Sequence, residues 1–122
     1  MAFLDLRSLM RSFRFAFRGF WYVIKNEQNV RLHLLASLIV IVLMVYFQVS
    51  LWQAVILVLV MSLVLTLELI NTIFEKMVDV LQPRIHHYVE VIKDVMAAAV
   101  LVSSIGAVII GILIFAPYFW TR

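Results

Sequence analysis

Three long apolar runs follow one another along this chain, and they decide most of what it can fold into. Residues 95–119 carry no charge at all, and residues 51–67 carry none either, with an apolar pattern that continues through Ile70 and Ile73 beyond Glu68. Residues 30–47 are interrupted only by Arg31, His33 and Ser37. A helix that spans a bilayer needs about 20 mostly apolar residues at ~1.5 Å each. The rest of the composition agrees, with 66% of the 122 residues apolar and 14% charged. An ordinary soluble domain is about half apolar and about a quarter charged, and a chain this short cannot bury such an excess within itself. Disorder is excluded by the same figures. With no cysteine there is no disulfide scaffold, thiol nucleophile or thiolate metal site.

The connections set the topology. Only Gln48, Val49 and Ser50 separate the first two runs, which predicts a tight antiparallel hairpin, and Gln82-Pro83 ends the second because proline breaks a helix. Before the first run, Arg7, Arg11, Arg14, Arg18 and Lys25 are spaced by four, three, four and seven, which stacks them on one stripe. Leu6, Leu9, Phe13, Phe17, Phe20 and Trp21 fall opposite. Interleaved bases and aromatics do not make a secretory signal; the pattern predicts an amphipathic helix over 3–26 lying in the headgroup layer. A soluble basic helix docked on a partner is the alternative.

The expected fold is therefore all-α and membrane-integral: one surface helix and three spans, at 30–47, 51–73 and 95–119, in a single domain. Six of the ten Lys and Arg residues lie at or before the mouth of the first span, and Lys76, Arg84 and Lys93 lie between the second and third. The positive-inside bias then puts the N-terminus and the 76–94 connection in the cytoplasm and the C-terminus outside, with Tyr118 and Trp120 as interfacial anchors. Three spans shield a polar stripe poorly, so oligomerisation is expected, and Ala97, Ala98, Ala99, Ser103, Ser104 and Gly106 allow close helix contact.

That polar stripe carries the chemistry. Glu68, Asn71, Thr72, Glu75 and Asp79 are spaced by three, one, three and four, which at ~100° per residue confines them to an arc of about 100°. A charge near the centre of a spanning helix costs about 2.5–3.5 kcal/mol, so the stripe must face other helices or a polar cavity. Solvated charges at a helix end account for Lys76 and Asp79. They do not account for Glu68, flanked by Val64, Leu65, Leu67, Leu69 and Ile70.

Two more polar groups sit at the same expected depth. Glu27, Asn29, Arg31 and His33 open the first span, with Glu27–Arg31 and Asn29–His33 each one turn apart; taken alone, Glu27–Arg31 reads as a helix-surface ion pair. His86, Glu90, Lys93 and Asp94 lead into the third. Glu27 and Glu75 offer hard oxygens, which favour magnesium, and magnesium on one or two carboxylates completes its shell with substrate phosphates. Lys93 and Arg84 could neutralise phosphate charge, and Glu68 suits a general base. Phosphoryl transfer needs mainly these parts. Three glycines leave no phosphate-binding loop, His33, His86 and His87 lack metal-ligand spacing, and the arginine stripe suits anionic lipid better than nucleic acid. A small cation or proton transporter, or an assembly subunit using the stripe as interhelical glue, remains an alternative.

These segments resemble the prokaryotic diacylglycerol kinase family, in order and spacing and over nearly the whole chain. The matching elements are Ala16-Phe17-Arg18-Gly19, the Glu27 to His33 stretch, Glu68-x-x-Asn71-Thr72-x-x-Glu75 with Asp79, and His86 through Lys93-Asp94 to Ala97–Val100. The Glu-x-Asn-x-Arg-x-His stretch is closer to the undecaprenol kinase branch than to the enterobacterial diacylglycerol enzymes. The resemblance implies a homotrimeric inner-membrane lipid kinase with active sites shared between subunits, acting on ATP and a membrane lipid alcohol. By position, Glu68 would be the catalytic base and Asn71 its support. Glu27 and Glu75 would hold magnesium and, through it, ATP. His86, Lys93 and Asp94 would contribute to the nucleotide site, and Asp79, with Thr72 and Arg31, would organise the polar cluster. The chain departs from the family at Phe15, where tyrosine is common, at Arg84-Ile85, where an acidic-tyrosine pair is common, and at Ala99, where glycine is frequent.

Overall fold

The computed structural model describes residues 3–81 and 86–121, except the side chains of His86 and His87. Four helices follow in chain order: α1 (Leu6–Asn26), α2 (Gln28–Phe47), α3 (Leu51–Leu81) and α4 (His86–Trp120). The described residues contain no strand. The long helices α3 and α4 contain the expected spans 51–73 and 95–119 and run past them toward the 82–85 connection, so the polar stripe continues helically beyond the apolar run.

The helix boundaries as far as the start of α3 have local causes. Asp5 caps α1 by accepting a hydrogen bond from the backbone N–H of Arg7 at 3.0 Å. A single extended residue, Glu27 (φ −118°, ψ 113°), separates α1 from α2. Arg31 stitches this joint by donating from Nη1 to the carbonyls of Ile24 and Lys25 at 2.8 and 2.9 Å, placing a cation on the orphan carbonyls of a helix end. The α2–α3 hairpin turns on Gln48 in the left-handed region (φ 51°). Ser50 and Gln53 then form a reciprocal capping box: the Gln53 N–H donates to Ser50 Oγ at 3.3 Å, and the Ser50 N–H to Gln53 Oε1 at 3.1 Å.

Helix α3 is the middle element, packed against both α2 and α4, while α1 touches the start of α2. The α3–α4 register is set at both ends, by Lys93 Nζ on Asp79 Oδ1 at 3.3 Å and by the Tyr118 hydroxyl donating to Gln53 Oε1 at 2.5 Å. Beside the latter pair, Phe47 meets the rings of Phe115, Tyr118 and Phe119 at centroid separations of 6.2, 5.4 and 5.0 Å.

Very little of this chain is buried within itself. The apolar core of the described residues comprises Val30, Leu57, Val64, Val78, Val89 and Phe115, and α1 buries no residue at all. Helices α2, α3 and the 88–120 stretch of α4 are each long and apolar enough to cross a membrane. A soluble monomer does not expose apolar surface on this scale, and helices satisfy their backbone groups internally, as hydrocarbon demands. The molecule is an all-α membrane protein.

Candidate active site

The polar stripe of α3 runs from buried to exposed along its length. Glu68, Asn71 and Thr72 are buried, Glu75 is half-buried and Asp79 is exposed. Glu68 is 2% exposed and is the one charged side chain buried among the described residues. The Thr72 hydroxyl donates back to the Glu68 carbonyl at 3.1 Å, a local bond that leaves a polar side chain satisfied inside a helix. The Asn71 side-chain amide donates to Glu75 Oε1 at 3.3 Å and so orients that carboxylate.

Helix α2 supplies the facing wall. His33 Nε2 lies 3.7 Å from Glu68 Oε2. Asn29, one turn before His33, also reaches the Glu68 carboxyl, and Glu27 and Glu75 stand close enough to act on it electrostatically. Glu68 Oε2 nevertheless has no hydrogen-bond partner. A carboxylate oxygen buried without a partner is costly, and such groups cluster at functional sites. The charge that keeps three acids compatible at the α2–α3 mouth comes partly from Lys76, whose Nζ lies 3.8 Å from Glu27 Oε1.

The expected site residues therefore fall into two groups. Glu27, Glu68, Asn71, Thr72 and Glu75 gather where the start of α2 meets the polar half of α3. Asp79 and Lys93 form a separate, more exposed pair farther along, and Asp94 is exposed beside them on α4. The His86 side chain lies outside the described residues, as do Arg84 and Ile85. Arg31 does not pair with Glu27 one turn away: its guanidinium is taken by the α1 carbonyls, and Lys76 from α3 occupies Glu27 instead.

Sequence reasoning left out Asn29, His33 and Lys76 as members of the site. Asn29 and His33 do share a face of α2, but nothing within α2 says which helix that face meets. Among the described residues no group of three or more His, Asp or Glu side chains is arranged to hold a metal ion on its own.

Comparison with known proteins identifies the family. The family model described as "Prokaryotic diacylglycerol kinase" matches residues 14–115. An undecaprenol kinase of Bacillus subtilis (strain 168) is 33% identical over 113 residues, covering 93% of this chain and 92% of that protein. A diacylglycerol kinase of Synechocystis sp. is 34% identical over 105 residues, covering 85% of this chain and 60% of that longer protein. Phosphoryl transfer needs a base to activate the acceptor alcohol, anionic groups for a metal and a nearby cation, and the family match spans Glu68, Glu75 and Lys93. The chain belongs to the prokaryotic diacylglycerol kinase family and is a lipid kinase of a bacterial membrane.

Proposed function

We propose that this kinase transfers the γ-phosphoryl group of ATP to the hydroxyl of a membrane lipid alcohol, undecaprenol in preference to diacylglycerol, with Glu68 as the base. The observation that carries the reading is Glu68 itself: a buried acid with one oxygen unpartnered, beside His33 and within electrostatic reach of Glu27 and Glu75. Glu68 takes the proton of the lipid hydroxyl, and the oxygen attacks the terminal phosphorus. The bond to the β–γ bridging oxygen breaks, and ADP leaves. Asn71 holds Glu75 in place, and His33 fixes the orientation of the Glu68 carboxyl. Lys93, held by Asp79, supplies the nucleotide site with a cation, joined there by Asp94 and His86.

The donor set suits magnesium. Two carboxylates, Glu27 and Glu75, fall short of a complete protein cage, and magnesium asks for no more than one or two when phosphates complete its shell. When bound, the ion would neutralise phosphate charge on the transferring group. The preference for undecaprenol draws on the Bacillus relative, which matches this chain nearly end to end. A homotrimer with shared sites would cover the apolar surface one protomer leaves bare. Residues 1–122 would form one membrane-embedded domain, with spans at 30–47, 51–73 and 95–119 and α1 in the cytoplasmic headgroup layer, where its bases and aromatics meet anionic lipid. The C-terminus would lie outside.

The test is purified protein in mixed micelles with labelled ATP, magnesium and either lipid. Phosphorylation of undecaprenol should exceed that of diacylglycerol in kcat/KM, and chelation should abolish it until magnesium is restored. Faster turnover of diacylglycerol would reverse the lipid assignment, and indifference to chelation would reject the metal.

A further inference from the structure

Two buried side-chain polar atoms among the described residues lack a hydrogen-bond partner: Glu68 Oε2 and Ser104 Oγ. Buried hydroxyls almost always find a partner, and an exception asks for an explanation. In a helix the easy solution is to donate back to a carbonyl one turn earlier. Ser103 does so, to the Val100 carbonyl at 2.9 Å, whereas its neighbour Ser104 does not.

The two orphans share a level in the bundle. Eleven residues back from Asp79 along α3 lies Glu68, and eleven residues on from Lys93 along antiparallel α4 lies Ser104, so the Asp79–Lys93 pair places them opposite one another. Ser104 lines an elongated apolar cavity of about 670 Å³ between α2 and α4, floored by Val64 of α3. One end of this cavity is lined by His33, the residue 3.7 Å from Glu68. The other reaches Phe115 and Phe119, which close against Phe47. Gly111 lies in the wall seven residues beyond Ser104, about 10 Å farther along α4, and a Cβ added there would meet nothing within 4 Å.

The geometry points to this groove as the seat of the lipid substrate's tail, with the Ser104 hydroxyl bonding the oxygen-bearing head at the depth of Glu68. This rests on the lipid-kinase reading and adds to it where the tail runs and which side chain positions the head. The occupant follows from continuity: the groove is apolar along its length, polar only where it meets the acid, and shut by aromatic rings at the far end. Ser104 is a positioning residue, since it both donates and accepts and fits an alcohol oxygen without taking its proton.

The experiment uses the full chain in mixed micelles with ATP and magnesium. Ser104→Ala should raise KM for the lipid about 5- to 10-fold, the loss of one hydrogen bond. KM for ATP and kcat should stay within about twofold, and Ser104→Thr, which keeps the hydroxyl, should restore the lipid KM. Gly111→Leu should lower kcat/KM at least tenfold for long-tailed substrates, undecaprenol and dioleoylglycerol, and leave the short-tailed geraniol and dibutyrylglycerol unaffected. Equal loss for short and long tails, or none for either, overturns the groove. A smaller oligomer on Gly111→Leu would overturn it too, by showing that a second copy of the chain fills it. A lipid alcohol with a diazirine near its tail end should label wild-type α2 and α4 around residues 40 and 111; labelling elsewhere rejects the groove even if turnover is absent. Wild-type protein that phosphorylates no lipid rejects the proposed function instead, while the photolabel still reports on the groove.

Discussion

The two ends of the bundle treat their polar groups in opposite ways. At the 48–53 turn the interacting polar groups answer one another: Ser50 and Gln53 cap one another, and Gln53 Oε1 also receives the Tyr118 hydroxyl. Aromatic rings fill the remaining space around Phe47. At the Glu27 end, three acids crowd together, one of them buried with an oxygen unpartnered, and the facing His33 imidazole and Lys76 ammonium stand off at 3.7 and 3.8 Å. Neither distance is a good hydrogen bond. One end is built to hold the helices in register, and the other keeps electrostatic potential in reserve for molecules that arrive later. Such a site is held at a cost in stability.

Glu68→Gln tests this contrast most severely. The amide keeps the shape and removes the charge, so kcat should fall about 10³-fold, within the range for a general base. Thermal stability in detergent should stay level or rise, because the variant no longer buries an unpaired charged oxygen. A variant that loses both activity and stability would make Glu68 a structural member of the bundle. Next in size come Glu27→Gln and Glu75→Gln. Each should cut kcat/KM about 10²-fold and raise the magnesium concentration needed for half-maximal rate, whereas a purely local role would leave the magnesium dependence unmoved. Glu75→Gln has the cleaner reading, since Asn71 can still bond the remaining carbonyl oxygen.

How far such contrasts could be read in the sequence depends on the range of the interaction. The stripe of Glu68, Asn71, Thr72, Glu75 and Asp79 is a property of one helix and follows from its period, and the hairpin at 48–50 follows from three residues between two apolar runs. Partnerships between helices do not follow in this way. Glu27 and Arg31 are one turn apart and look like a pair, yet the chain bends at Glu27, turns Arg31 onto the end of α1 and leaves Glu27 to Lys76, forty-nine residues away. His33, set aside for lack of a metal-ligand spacing, gains its meaning only when α2 lies against α3. Ser104 reads in sequence as one more small residue in a close-packing stripe; its missing partner is visible only in three dimensions.

The far end gives the converse test. Gln53→Ala removes half of the capping box and the acceptor for Tyr118. It should cost about 1–2 kcal/mol of stability, as helix caps and interhelical bonds in membranes do, with activity per folded molecule unchanged. Activity loss there would mean that the two ends are coupled and that the division of labour is wrong.

The smallest stability effect belongs to the pair that resembles a staple but is built like a handle. Lys93 and Asp79 link α4 to α3 at 3.3 Å, yet their side chains are 41% and 56% exposed. Exposed pairs contribute about 0–1 kcal/mol, so Lys93→Met should shift unfolding by less than about 0.5 kcal/mol. Its kinetic effect should be larger: a several-fold rise in KM for ATP that shrinks with added salt, because phosphate attraction at an exposed site is screened. A stability loss well above 1 kcal/mol with an unchanged ATP KM would reassign the pair to the scaffold, and with it the α3–α4 register that places Ser104 opposite Glu68.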